Sequence, residues 1–472
     1  MENQVKVNIK MYRVNELGDC FFLCFTHNDK SSNILIDCGS FRNNEKSKVR
    51  MNNIAKNIQT HLGKGKNLSV VIGTHQHNDH LSGFVHAESV FKKIRAEEAW
   101  LSWLDNPKDK EAQKIEEGQQ KLSLQLQKIG DELECAQNQS FKNSKAKERL
   151  SDVLGFYHAA SSEQQLHNVP YVPAKGLENL KSISSEVKYL EPGQIVNLPG
   201  LDEGAVKVYV LGPPRNKALL YDKDPKKGES YDHKLSMAST LAENFLSALT
   251  NFSGQTVDPD EEQFPFNNSF EKSLKTESSK LSQYLDPKKV WQKIDEEWLD
   301  QAERLALYMD SYTNNSSLVL AFELVNSGKV LLFVGDAQTG NWLSWKDIPW
   351  ETPIKGFSTS DLLTNTVLYK VGHHCSHNAT LVENLEKMKH PELVAMIPVD
   401  RNDPHIIKTN GWKMPATNLH KRLKEKTNNR VLVMDKGWDT DCDPENSAKD
   451  SWSKLPYKPK MNDLYIEYEI EG

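Results

Sequence analysis

Disulfide chemistry is the first thing missing. The chain has six cysteines in 472 residues, scattered and without a Cys-x-x-Cys pair, so no disulfide scaffold is encoded. Long apolar runs are missing too. Residues 330–334 are typical of the longest, far short of the ~18 residues a membrane helix needs. The start reads as a strand rather than a signal peptide, since Val5, Val7, Ile9 and Met11 alternate with polar residues. We therefore expect a chain with no membrane partner, in a reducing compartment, most simply the bacterial cytoplasm. A basic surplus is also absent. The 59 Lys+Arg against 65 Asp+Glu give a net charge of -6. That excludes a protein that coats nucleic acid generally, but not a local basic groove. Hydrophobic content is only 38% and mean hydropathy is -0.64, so part of the chain is solvated helix or loop. No repeat of solenoid period is present.

What is present is a β/α pattern interrupted twice. Residues 6–14, 21–25, 33–37 and 68–73 read as strands, with a polar hairpin turn at 28–32. From 85 to 186 the character changes. Charges of both signs balance, and Ile115, Leu122, Leu126, Ile129 and Leu133 make one helical stripe. Such a seam either packs on its own chain or pairs with a partner chain. Strand character returns at 206–211, within a core segment 187–215. A second polar stretch, 216–312, holds a Pro-, Asp- and Ser-rich region at 257–279 and a helix over 289–309. Strands resume at 317–323, 329–334, 366–371 and 393–399, followed by a helix over 418–426 and a strand over 430–434. The fold class expected is α/β. The core comprises 1–84, 187–215 and 313–472, with two large, mostly helical insertions at 85–186 and 216–312.

Three places carry chemistry. Thr74-His75-Gln76-His77-Asn78-Asp79-His80 follows a buried-type strand. Residues two apart on a helix point about 200° away from each other, so a turn is the geometry that lets His75 and His77 converge. Imidazole and carboxylate are ligands for zinc and similar ions. Four such groups on so short a loop suggest two ions sharing it. Gly335-Asp336 follows the apolar run 330–334, and a carboxylate at the tip of a buried strand needs a partner or a metal. The run Lys370-Val371-Gly372-His373-His374-Cys375-Ser376 again ends a strand in imidazoles.

This ordered set resembles the metallo-β-lactamase fold, and more finely the hydrolase domain of ComEC-type DNA-uptake proteins and the phosphorylcholine esterases similar to them. Further matches are Leu17-Gly18-Asp19-Cys20, Asp37-Cys38-Gly39, 314–319, Met414-Pro415-Ala416 and 431–433. The resemblance covers roughly residues 5–84, 187–215 and 313–440 and neither insertion. It implies an αββα sandwich and a hydrolase holding two divalent ions, zinc first and manganese as the alternative. His75 and His77 would hold the first ion, Asp79, His80 and His374 the second, and Asp336 would bridge them. Asp79 would also orient a hydroxide shared by the ions, and His373 would face substrate as phosphate ligand or proton donor. Asp37 reads as a support rather than a catalytic group, and Lys370 as either a charge partner or a solvated side chain. Two positions depart from the family. Cys375 replaces a glycine and is read as filling space. Gly212 stands where many relatives carry another His ligand, which leaves the first site short; His233 could substitute from the insertion but reads rather as an unrelated surface histidine.

The reaction expected is metal-assisted hydrolysis, most directly of a phosphodiester in DNA or RNA. The alternatives are a small-molecule phosphodiesterase and an effector hydrolase, for example in bacterial defence, activated by a partner bound to the insertions. The tryptophans Trp100, Trp103, Trp291, Trp298, Trp342, Trp345 and Trp350 either stack bases or form small cores under helices, which is their commoner use. The basic run 142–149 reads as a solvated face.

Overall fold

The computed structural model describes residues 4–63, 65–119, 154–156, 172–220, 307, 309–351, 356–408, 411–435, 437–445 and 451–472. The chain divides into two compact units, one of 1–117, 155–237 and 310–472, the other of 118–154 and 238–309. Every element below belongs to the first unit. The stripe from Leu122 to Leu133, the 142–149 basic run, His233, the 257–279 region, Trp291 and Trp298 lie outside the described residues.

The first unit is an α/β structure with two mixed sheets. One sheet contains Lys6–Tyr12 (β1), Cys20–His27 (β2), Lys30–Cys38 (β3), Leu68–Ile72 (β4), Ala96–Ser102 (β5) and Ser184–Leu190 (β6). The C-terminal strands Lys460–Met461 (β14) and Tyr465–Glu471 (β15) complete it, in the order β14-β15-β1-β2-β3-β4-β5-β6. The second sheet contains Ile195–Asn197 (β7), Val206–Gly212 (β8), Val319–Leu324 (β9), Lys329–Phe333 (β10), Thr366–Lys370 (β11), Val394–Ile397 (β12) and Val431–Val433 (β13). Its order is β13-β12-β11-β10-β9-β8-β7.

Local chemistry explains the elements. Asn28 takes the left-handed backbone (φ 56°) that turns β2 into β3, a conformation Asn tolerates. β4, Leu-Ser-Val-Val-Ile, is buried along its whole length because it is paired in parallel on both sides. The helix Glu45–Leu62 (α1) starts at Asn44, whose side chain accepts from Ser47 N, and turns Met51, Ile54, Ala55, Ile58 and Leu62 into the core. The two sheets share one core. The Phe21 ring of β2 meets Phe333 of β10 edge-on at 5.5 Å, and Phe25 lies 5.7 Å from Phe322 of β9. Trp100, Trp103, Trp342 and Trp345 are fully buried, the core role rather than the stacking one.

Two results differ from the sequence reading. β5 falls inside the stretch 85–186 expected to be helical, and β6 begins at its end; β5 pairs in parallel with β4 on one side and with β6 on the other. β5 begins Ala-Glu-Glu-Ala, good helix formers, but two strand neighbours override that weak preference. The second compact unit takes 118–154 and 238–309. β15 was not anticipated, and it pairs with β1 along that strand's entire length.

Four strands deliver the candidate functional residues at their C-terminal ends: β3 (Asp37), β4 (74–80), β10 (Asp336) and β11 (373–374). This is the usual place for a site in sheets with parallel strands.

Because Phe322 joins the two sheets, Phe322→Ala should cost about 3–5 kcal/mol in urea unfolding of the metal-free chain. A loss below about 1 kcal/mol would show that the sheets do not depend on this contact.

Candidate metal centre

The loop 73–77 leaves β4 and enters the helix Asn78–His86 (α2), so Asp79 and His80 stand in its first turn. Gly39 permits this. A side-chain carbon there would lie 2.3 Å from the Asp79 carbonyl carbon and the His80 nitrogen, so only glycine lets α2 approach. On the other sheet, His373, His374 and Cys375 take left-handed φ values of 42°, 50° and 63° in succession. Such backbone costs of order 1–3 kcal/mol per residue and persists where surroundings enforce it.

His80 and His374 each turn one ring nitrogen to the carboxylates Asp79 and Asp336 and the other to a partner elsewhere, while His75 and His77 turn one nitrogen toward each other. His80 Nδ1 is 2.8 Å from Asp37 Oδ2, while its Nε2 is 3.2 Å from Asp336 Oδ2 and 3.7 Å from Asp79 Oδ2. His374 Nδ1 donates to Pro398 O at 2.6 Å, while its Nε2 is 2.8 Å from Asp79 Oδ2 and 3.6 Å from Asp336 Oδ2. His75 Nδ1 lies 3.1 Å from Thr74 Oγ1 and 3.2 Å from Ser317 Oγ. Its Nε2 faces His77 Nδ1 at 3.0 Å. His77 Nε2 points away, 3.5 Å from Asp310 Oδ1. Metal-binding histidines are oriented in this way, with the distal nitrogen tied to a carboxylate, carbonyl or hydroxyl.

Asp19, His80, Asp336 and His374 bring ligand-type atoms within 4.8 Å of one another. Of the carboxylates nearby, Asp79 fits an ion at this place better than Asp19 does. Asp19 lies 3.9 Å from the Nδ1 atoms of His80 and His374, nitrogens already committed elsewhere, and it ion-pairs closely with Lys370. The Nε2 atoms instead meet Asp79 and Asp336, mostly at the 3.2–3.7 Å expected between ligands of one tetrahedral ion with ~2.0–2.1 Å bonds. Among the described residues, His80 Nε2 and Asp79 Oδ1 are buried and make no hydrogen bond. Leaving such atoms unmade costs about 1–3 kcal/mol each. The set Asp79, His80, Asp336 and His374 therefore fits a divalent cation.

Charge supports the fit. Asp19, Asp37, Asp79 and Asp336 are all at most 1% exposed, and Lys370, also 1% exposed, is the cation among them. Lys370 Nζ donates to Gly335 O at 2.6 Å and to Asp336 Oδ1 at 3.2 Å. His373 N donates to the same oxygen at 2.9 Å, which leaves Asp336 Oδ2 for the site. One ammonium offsets one of the four carboxylates. A surplus of buried negative charge is untenable without further cations or protons.

The imidazoles respond to that charge in two ways. Burial alone would lower His80 and His374, but Asp336 with the neighbouring carboxylates outweighs it. His80 is held well above its ordinary range and His374 at about 9. His75 and His77 have fewer carboxylates near them, so burial and the adjacent imidazoles win. His75 falls well below its ordinary value and His77 to about 3. The carboxylate-rich pair attracts cations strongly; the other pair offers neutral lone pairs with less charge behind them.

The remaining residues of the sequence reading are placed as follows. Asp37 accepts from Thr74 N and Thr74 Oγ1 as well as pairing with His80, the supporting role expected of it. Lys370 is a charge partner, not a solvated side chain. His373 does not join the ligand cluster. Its Nδ1 is 3.1 Å from Gln338 Nε2 and 2.8 Å from Ser376 Oγ, and its Nε2 is 3.4 Å from Asn314 Nδ2. Cys375 is fully buried. At Gly212 a side-chain carbon would lie 2.2 Å from Asn341 Oδ1. Asn341 is held there by Asn315, Ser317 and Trp345, so a side chain at 212 would have to displace it. Sequence reasoning missed Asn341 and Asp310 entirely and quoted Asp19 only as part of a turn. Only Asp19, beside a strand-starting glycine, carried a local signal.

No protein-family model matches this chain, and no curated protein matches it. Among the described residues, no helix is long and apolar enough to cross a membrane.

Below pH about 9 His374 carries a proton that a cation must displace. Apparent metal affinity should therefore rise with pH up to about 9, with proton release detectable by calorimetry in buffers of different ionisation enthalpy. A pH-independent affinity between pH 6.5 and 9 would contradict this.

Proposed function

We propose that the chain is a metal-dependent hydrolase of the metallo-β-lactamase type, with an αββα core, acting on phosphodiesters. The observation that carries the reading is the paired orientation of the imidazoles around buried, under-neutralised carboxylates. His80, His374, Asp79 and Asp336 would hold one divalent ion, and His75 and His77 would be ligands for a second. Zinc suits this mixed nitrogen and oxygen set, and manganese is the alternative. Such ions lower the pKa of water toward neutrality and offset charge developing on a phosphoryl oxygen.

The chain's own residues do the rest. Asp37 fixes the ring of His80, and Pro398 O fixes that of His374. Lys370 and the His373 amide hold one oxygen of Asp336, so its other oxygen stays turned to the ions. Asp79 has an oxygen without a hydrogen bond and is the group placed to orient an attacking water. His373 is the most exposed of these side chains, at 9%. It is the one placed to donate a hydrogen bond to a substrate oxygen.

DNA or RNA is the first substrate class to test, although a net charge of -6 weighs against unaided binding of long polynucleotides. A hydrolase opened by a protein partner is the second reading. It is favoured by how little solvent reaches the site, since every candidate side chain is 9% exposed or less.

The test is metal content together with a substrate panel of DNA, RNA, dinucleotides and bis-p-nitrophenyl phosphate. His77→Ala and Asp336→Ala should each lower turnover by more than the roughly 10–100-fold typical of outer-sphere changes. Cleavage of the small ester but no polynucleotide selects the small-molecule reading, and activity only with a partner selects the effector reading. A carefully purified chain that binds no divalent transition metal sinks the proposal.

A further inference from the structure

His80, His374 and His75 each have a short contact on the nitrogen that faces away from the site. His80 has Asp37 at 2.8 Å, His374 has Pro398 O at 2.6 Å, and His75 has Thr74 Oγ1 and Ser317 Oγ at 3.1 and 3.2 Å. His77 differs. Its Nδ1 faces His75 Nε2 at 3.0 Å, so Nε2 is its outward nitrogen. That atom is 3.5 Å from Asp310 Oδ1, a few tenths of an ångström beyond a normal hydrogen bond.

Asp310 is not an incidental surface carboxylate. It is 8% exposed, and Asn314 Nδ2 donates to its other oxygen at 3.1 Å. Asn314, one helical turn further along, also approaches His373 Nε2 at 3.4 Å. The next residue, Asn315, anchors Asn341, which blocks the end of β8. The helical residues 310–315 thus line the side of the site from which β8 contributes no ligand.

We propose that Asp310 is the positioning residue for His77 and sets the affinity of the first metal site, an inference that rests on the metal-hydrolase reading. An ion on Nδ1 leaves the ring proton on Nε2, the atom that faces Asp310. The carboxylate then accepts that N–H, fixes the ring and raises the basicity of Nδ1. The device matters more here than at His80, because among the described residues fewer carboxylates act on the first pair of imidazoles. Asp310 acts through His77 and is not itself a ligand, since it lies on the nitrogen turned away from His75.

The test is a Co²⁺ titration of the full-length metal-free chain, followed by stoichiometry and visible absorption. Wild type should take up two ions of unequal affinity. In Asp310→Asn and Asp310→Ala the tighter ion should bind as in wild type, which also reports that the variant is folded. The weaker ion should bind about 10–100-fold less tightly, and Asp310→Glu should recover part of the loss. His77→Ala should lose the same ion. At saturation the absorption bands of Asp310→Asn should match wild type, because no ligand has changed. Wild-type affinity for both ions in Asp310→Ala overturns the proposal, and altered bands at saturation overturn it by making Asp310 a ligand. A wild type that never takes a second ion overturns it too, while one that takes none brings down the metal reading itself.

Discussion

Burying four carboxylates around one ammonium is the constraint on which the rest of the site depends. Asp19, Asp37, Asp79 and Asp336 come from three different strand ends and a helix start, yet they meet where almost no solvent reaches. Lys370 offsets part of that charge by bonding Asp19 and Asp336 together. The remainder has to be met by positive charge placed among the imidazoles. Features that look costly in isolation follow from this demand. Three successive left-handed residues bring the His373 amide onto Asp336 and the His374 ring onto Asp79. A glycine at position 39 lets the start of α2 press against the end of β3.

The same charge divides the site into unequal halves. His80 and His374 sit among carboxylates and hold protons readily; His75 and His77 do not. If two ions bind, as we propose, they meet different electrostatic environments and different degrees of completion by protein ligands. Asn341, held by four hydrogen bonds, occupies the space that a side chain at Gly212 would need.

Much of this was legible because it is local. Alternation marked β1, β2 and β3, apolar runs marked β4, β8, β10 and β11, and the density of imidazole after β4 marked the site. The elements that were missed depend on partners far away in sequence. β5 opens with helix-favouring residues and is a strand because β4 and β6 flank it. β15 is the neighbour of β1, at the opposite end of the chain. Asp310 carries no local signal, since its meaning comes from His77, which the fold brings to 3.5 Å.

Covalent order set which groups could act: three imidazoles and a carboxylate in one short loop, an aspartate after one strand and two histidines after another. Ligand type and loop spacing are covalent facts, and the chemistry they permit follows from them. Tertiary structure decided how those groups are used. It chose the inward nitrogen of each ring by placing a partner on the other, turned Lys370 from a possible surface charge into a buried counter-ion, and held His373 apart from the ligand cluster. The physical reason is that orientation and charge balance are set by neighbours in space, and most of those neighbours lie on other strands and on the other sheet.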